Sequence, residues 1–259
     1  MSTIAPLRAV AFGAPDGSLW AAAIDLGHPA LVIGAGGAGS GLADGLQWSE
    51  SEDGSWRIEG DGVALTIAAT PAPPPPETVG ELDEAAPPAP AVAPPGPEDP
   101  VLCRVTGTVT AGAEHAVDCA GVRMLVPAPA SDKAAPASAR MVAAFLDDGS
   151  AVALVAVRPR NVSHQDGDTV SAAVFDPELW IGVTDPRLST TYDGAGAPTR
   201  TNLELWVGHG EDEFPRRAAG EVSGPAGSVA ADGVALQAAP LDCHSRGRAG
   251  AGVYALVTF

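Results

Sequence analysis

Lysine occurs once in this chain, at Lys133, and 14 basic residues stand against 32 acidic ones for a formal net charge of −18. A field of that sign repels phosphate backbones and anionic lipid surfaces, both of which are bound through clustered Lys and Arg, so no nucleic-acid partner and no membrane insertion are expected. Cysteine is nearly as scarce. Cys103, Cys119 and Cys243 are an odd number without CxxC spacing, which argues against a disulfide framework and a Cys-rich zinc site. They read as buried small hydrophobes, with a Cys103–Cys119 pair as the open alternative. Aromatic residues make up 5% of the chain, so the interior must be built from small and β-branched side chains, and Trp20, Trp48, Trp56, Trp180 and Trp206 are its few large anchors. There is no uncharged apolar stretch near 20 residues and no charged segment leading into an apolar run at the N-terminus, so a cytoplasmic location is expected. GxxxxGK[ST], GxSxG and HExxH patterns are missing, and the five histidines are scattered with no two at ligand spacing. Neither a metal nor an organic cofactor is expected.

What is present is a sequence punctuated for antiparallel sheet. Asp-Gly recurs at Asp16-Gly17, Asp61-Gly62, Asp148-Gly149, Asp166-Gly167, Asp193-Gly194 and Asp232-Gly233, and this dipeptide supplies the positive φ angles of tight hairpins. Between the turns, apolar residues alternate with smaller or polar ones: Val63, Leu65 and Ile67; Leu203, Leu205 and Val207; Val253, Ala255 and Val257. Period two is the pattern of a half-buried strand. Ala151–Val157 is apolar throughout and fits a strand covered on both faces. The best helical candidate, Ala134–Leu146, carries Pro136 and predicts a short helix at most. The fold class is all-β.

Residues 71–100 contain twelve prolines and six acids with no basic or aromatic residue. That composition predicts a disordered, partly polyproline-like insert acting as a spacer or, less plainly, as a Pro-rich ligand. Asp61-Gly-Val-Ala-Leu returns as Asp232-Gly-Val-Ala-Leu, an echo suggesting two related β units. Residues 1–163, with the insert, are expected to form the first and residues 164–259 the second.

Three stretches carry candidate chemistry. Gly34-Ala-Gly36-Gly-Ala-Gly39 has the GxGxxG spacing of dinucleotide sites, but too little chain follows for a crossover helix, so a Gly-rich loop is the expected reading. The hairpin Cys103–Met124 brings together Glu114, His115, Asp118 and Arg123, either as a proton-sharing His–Asp pair or as surface charges. Leu203–Gly220 is the densest cluster. Alternation places Glu204 and Trp206 on one face and Leu205 on the other, with Arg187, Arg216 and Arg217 available to pair with Glu204, whether that face is wet or lines a cavity.

Val105-Thr-Gly-Thr-Val, Gly121-Val-Arg, Phe145-Leu-Asp-Asp-Gly-Ser, Leu203-Glu-Leu-Trp, Pro215-Arg-Arg-Ala-Ala-Gly-Glu and Gly247-Arg-Ala-Gly-Ala-Gly-Val-Tyr follow one another in an order that resembles the lipocalin-like hydroxyneurosporene synthase (carotenoid hydratase) group. The resemblance spans roughly residues 101–259. It implies two consecutive lipocalin-like antiparallel β-barrels or half-barrels enclosing an apolar, polyene- or isoprenoid-like molecule. Three functions are then open. The first is binding of such a molecule in a pocket lined by Trp206, Glu204, Trp180, Tyr192 and Arg187. The second is a cofactor-free lyase or isomerase using Glu204 or Asp118 as acid, oriented by Arg123 or Arg217. The third is an interaction module with no small-molecule site. The sequence sets no oligomeric state.

Overall fold

A computed structural model describes residues 6–25, 29–35, 39–42, 44–74, 94–96, 98–126, 135–163, 167–208, 214–231 and 233–259. Nineteen strands fill them, with no α-helix among the described residues. The first sheet is built from β1 (Leu7–Gly13), β2 (Leu19–Asp25), β3 (Pro29–Ala35), β4 (Ser40–Leu42), β5 (Gln47–Glu50), β6 (Trp56–Gly60), β7 (Val63–Ala69), β8 (Val101–Ala111) and β9 (Ala113–Val126). Their spatial order is β4-β3-β2-β1-β9-β8-β7-β6-β5. Strands β4 and β5 are consecutive in the chain yet lie at opposite edges, so the short segment between them forces the sheet to curl until its edges approach. The result is a half-barrel.

The second sheet repeats this plan. Its strands are β10 (Pro136–Leu146), β11 (Ala151–Pro159), β12 (Thr169–Asp176), β13 (Leu179–Gly182), β14 (Asp185–Tyr192), β15 (Pro198–Val207), β16 (Phe214–Val222), β17 (Gly227–Ala231), β18 (Val234–Ser245) and β19 (Arg248–Thr258). Their order is β13-β12-β11-β10-β19-β18-β16-β15-β14, with β17 paired to β18 off this path. Every pairing in both sheets is antiparallel. Strand for strand, β10 to β16 stand where β1 to β7 do, and β18 and β19 where β8 and β9 do. The all-β expectation is met.

Three expectations change. The sheets divide between Val126 and Pro136, not at 163/164, because β10 and β11 pair in the second sheet. Ala134–Leu146, the expected short helix, is largely β10. It is hydrogen-bonded on one side to β11 and on the other to β19, and its alanines suit a strand squeezed between two layers more than a helix. The Asp61 and Asp232 echo opens β7 and β18, which are not equivalent strands. The duplication is marked instead by Asp16-Gly-Ser and Asp148-Gly-Ser in the matching β1–β2 and β10–β11 hairpins. In both, the Asp Oδ1 accepts bonds from the Ser hydroxyl, at 2.6 Å, and the Ser N–H, at 2.9 and 3.0 Å, and Gly17 and Gly149 take φ of 73° and 83°.

The halves pack back to back. Ala9, Ala11, Ala22, Ala30 and Val32 of the first sheet meet Ala139, Ala143, Ala153, Ala173, Ala238 and Ala255 of the second in one buried cluster, with Trp20, Met124, Met141 and Phe145 filling the wider gaps. Small side chains let two curled walls approach closely, which accounts for the alanine content. Ala151–Val157 is buried along its whole length, as its apolar run predicts. Gly34 and Gly39 of the GxGxxG stretch serve the same packing. A Cβ on Gly34 would fall 2.4 Å from the Trp20 ring, and one on Gly39 would fall 2.8 Å from the Gly227 backbone nitrogen. Gly34 lies in an antiparallel strand, with no helix N-terminus to meet a pyrophosphate.

Inside the first half-barrel, Val10, Phe12, Leu31, Ile33, Trp56, Ile58, Leu65, Ile67 and Val105 make a second filled core that also holds Cys103 and Cys119. All three cysteines are free and buried.

Ala143→Leu is expected to lower stability by about 1–3 kcal/mol through overpacking of the layer between the sheets, read as a lower urea midpoint with one unfolding transition. Burial pushes the Cys119 and Cys243 thiols up from 9.0 to about 12. A proton retained in the folded state but lost from the unfolded chain stabilises below pH 9, and that contribution falls away as pH rises toward 12. Urea unfolding from pH 8 to 11 should therefore show declining stability, and the combined Cys119→Ala and Cys243→Ala variant a shallower decline.

Candidate functional site

Strand alternation decides which side chains enter the second half-barrel. From β10 come Arg140, Val142, Ala144 and Leu146; from β11, Val152, Leu154, Ala156 and Arg158; from β15, Thr201, Leu203, Leu205 and Val207. Much of this interior is a dry cluster joined by Ala172, Val174, Ala218, Leu241, Cys243 and Tyr254. Small residues are more frequent here than in the first half-barrel.

Charges close both ends. At one end Arg140 and Arg158 hold Asp168 between them: Arg140 Nη2 lies 2.5 Å from Oδ2, and Arg158 donates through Nε at 2.8 Å to Oδ1 and through Nη2 at 3.2 Å to Oδ2. The Asp168 side chain is 1% exposed and that of Arg140 6%. Among the described residues Arg140 Nη1, which is buried, has no hydrogen-bond partner. Nearby, the Tyr254 hydroxyl lies 3.2 Å from that of Tyr192; burial, then the bond to Tyr192, pushes the Tyr254 phenol well above its ordinary value. At the other end Arg216 Nη1 lies 2.7 Å from Asp176 Oδ2, beside a cleft of about 240 Å³ reaching Leu146, Val174 and Leu205.

The barrel wall is incomplete. Strand β13 pairs only with Ala173–Asp176 of β12, so Thr169–Ala172 has β11 as its single hydrogen-bonded neighbour among the described residues. Opposite that open edge runs β14. Between them lies a cleft of about 470 Å³ lined by Val170, Pro186, Leu188, Asp185, Asp168 and Arg140.

The residues singled out in the sequence are distributed over four places. Glu204, Arg187 and Arg217 meet on the outer face of β14, β15 and β16, in a groove of about 660 Å³ shared with Asn202 and His244. Arg217 Nη2 lies 2.8 Å from Glu204 Oε1, with the two side chains 72% and 31% exposed. Trp206 shares that outer face, and its indole N–H is buried without a partner among the described residues. Trp180 stands apart, its ring edge-on to Phe175 at 5.3 Å and packed against the layer between the sheets. Tyr192 belongs to the polar end, through Tyr254. Asp118 and Arg123 occupy opposite faces of β9 in the first half-barrel. Asp118 pairs with Arg104 at 2.7 Å on the exposed side. Arg123 lies 3.7 Å over the Trp56 ring and donates to the Gly54 carbonyl at 3.0 Å; burial lowers its pKa. No cluster of three or more metal-ligating side chains forms among the described residues, and His28, His164 and His209 lie outside them.

Among solved structures, a Nitrosomonas europaea protein described as an AttH matches this chain with a TM-score of 0.56 at 14% identity, over 97% of this chain and 91% of that one. The fold is a pair of lipocalin-like half-barrels. At that identity the likeness speaks for fold alone. No protein-family profile matches the chain, and no curated protein does. Among the described residues, no helix is long and apolar enough to cross a membrane.

The four residues of the polar end that the sequence reading passed over are Arg140, Arg158, Asp168 and Tyr254. Their signal was present but slight: Arg140 is the sole charge between Ala134 and Leu146, and Tyr254 one of two tyrosines. By contrast, the Glu204–Arg217 pair is solvent-washed, and Glu204→Gln is expected to change the unfolding free energy by less than about 1 kcal/mol, measured by urea denaturation at low salt.

Proposed function

We propose that this protein binds a small apolar, polyene- or isoprenoid-like molecule in its second half-barrel. The observation that carries this reading is the cleft between β12 and β14, where an apolar strip of Val170, Pro186 and Leu188 lies beside Arg140, Asp168, Thr184, Asp185 and Arg187. Apolar surface joined to precisely placed polar groups in one concavity is what a site for an amphiphilic small molecule requires. The first half-barrel offers a contrast, since its interior is occupied by its own Phe12, Trp56, Ile58 and Ile67.

Kinship to the hydroxyneurosporene synthase group is part of this proposal. Its support is the order of short motifs along residues 101–259 together with the paired half-barrels shared with the Nitrosomonas protein. Of the residues first considered, Arg187 lines both this cleft and the outer groove, Tyr192 reaches the polar end through Tyr254, and Glu204 and Trp206 would serve a ligand lying in the outer groove. Catalysis by protonation of a double bond would need a proton donor within the apolar interior. The inward carboxylates Asp168 and Asp176 are both engaged by arginines, so binding is the function the geometry favours.

Retinol and a carotenoid panel should quench tryptophan fluorescence saturably. Leu188→Trp, which fills the cleft, should weaken binding by about tenfold or more while leaving the unfolding midpoint near that of the parent. Undiminished binding in that variant would move the site out of the cleft.

A further inference from the structure

We propose that the polar end of the second half-barrel receives one carboxylate, so that the ligand is an amphiphile with a single acidic head on an apolar tail. This rests on the apolar-ligand reading above and adds the chemistry of the head.

Charge balance is the first observation. Two guanidinium groups, Arg140 and Arg158, share one carboxylate, Asp168. The other charged groups lining the cleft, Asp185 and Arg187, pair with each other at 2.5 Å. Among the described residues one positive charge is left over, shared between Arg140, 6% exposed, and Arg158, 27% exposed, around an Asp168 that is 1% exposed, in a chain whose net charge is −18. An uncompensated buried charge is costly unless something pairs with it.

The second observation is where the unused donors lie. Arg140 spends Nη2 on Asp168 while Nη1 is buried with no acceptor among the described residues, and Arg140 lines the cleft. On the facing wall the inward Thr201 is 1% exposed, and its hydroxyl too is buried without a partner among the described residues. It sits across the ladder from Thr190, whose side chain adjoins the Tyr254 hydroxyl. A guanidinium edge with hydroxyls arrayed about it suits a planar monoanion with two acceptor oxygens. A neutral alcohol would leave the charge unmet, and a phosphate dianion would overshoot it. The tail would then run along Val170, Pro186 and Leu188 toward the open edge.

Isothermal titration at pH 8 with retinoic acid, retinol and acetate tests this, because the first two share a tail and differ in the head. The acid is expected to bind at least about tenfold more tightly than the alcohol, and Arg140→Gln should bring the acid down to the alcohol's affinity. Should that variant fail to fold, Arg140→Lys, which keeps the charge but loses the fork, should cost the acid several-fold. Equal affinities for acid and alcohol in the parent protein would overturn the carboxylate site and leave the apolar reading standing. Acetate competing as strongly as retinoic acid would keep the head site and remove the apolar reading. Binding of none of the three would overturn both.

Discussion

The layer of alanines between the two sheets is the contact on which the rest of this molecule depends. Two curled walls can lie back to back only if neither presents bulky side chains, and Ala9, Ala22, Ala143, Ala153 and Ala255 meet that condition. Strands in the layer are covered on both faces, so they read as unbroken apolar runs rather than alternating ones. Function is thereby confined to what the layer does not consume: the interior of each half-barrel and the outer arc of β14 to β16.

The two interiors have been spent differently. Large side chains fill the first, and its charged end is closed by Arg123 stacked on Trp56 and by Arg8 bonded to Asp25 at 2.6 Å. The second is filled with smaller residues and ends in an arginine pair that one aspartate does not neutralise. A protein this acidic has no electrostatic need to bury a surplus cation for solubility. A structural role would ask only for balance, which a single arginine on Asp168 would supply. The second arginine is what separates a structural ion pair from a receptor for an anion.

Much of the fold was legible because antiparallel sheet announces itself locally, through Asp-Gly turns and period-two alternation. What failed were inferences needing a partner surface. An alanine-rich run such as Ala134–Leu146 has helical propensity, and only the opposing sheet makes small residues the right choice for a strand. Alternation correctly put Glu204 and Trp206 together and Leu205 opposite. It could not say which face was inward, because a tryptophan against an aliphatic strand looks like the buried side. Here Leu203, Leu205 and Val207 hold the interior. Arg140 was illegible for the reverse reason: a lone charge in an apolar run becomes informative only once Arg158, Asp168 and Tyr254 arrive from other strands.

The open edge of the second half-barrel follows from how the duplication was broken. In the second unit the connection from β16 to β18 contains β17, which pairs with β18 and packs across onto the first unit, where Gly39, just before β4, and Gly41 within it admit it: a Cβ on Gly41 would fall 2.3 Å from the Ser228 carbonyl oxygen. The edge of the first half-barrel is thus covered by the second. The equivalent connection in the first unit, from β7 to β8, is the proline-rich stretch, and proline has no N–H to give a sheet ladder. Among the described residues no strand returns the favour, and Thr169–Ala172 keeps a free edge. An unpaired edge beside two guanidinium groups sharing one aspartate would be a liability in a purely structural domain. In a binding protein the same two features give an apolar molecule a way in and its acidic head a destination.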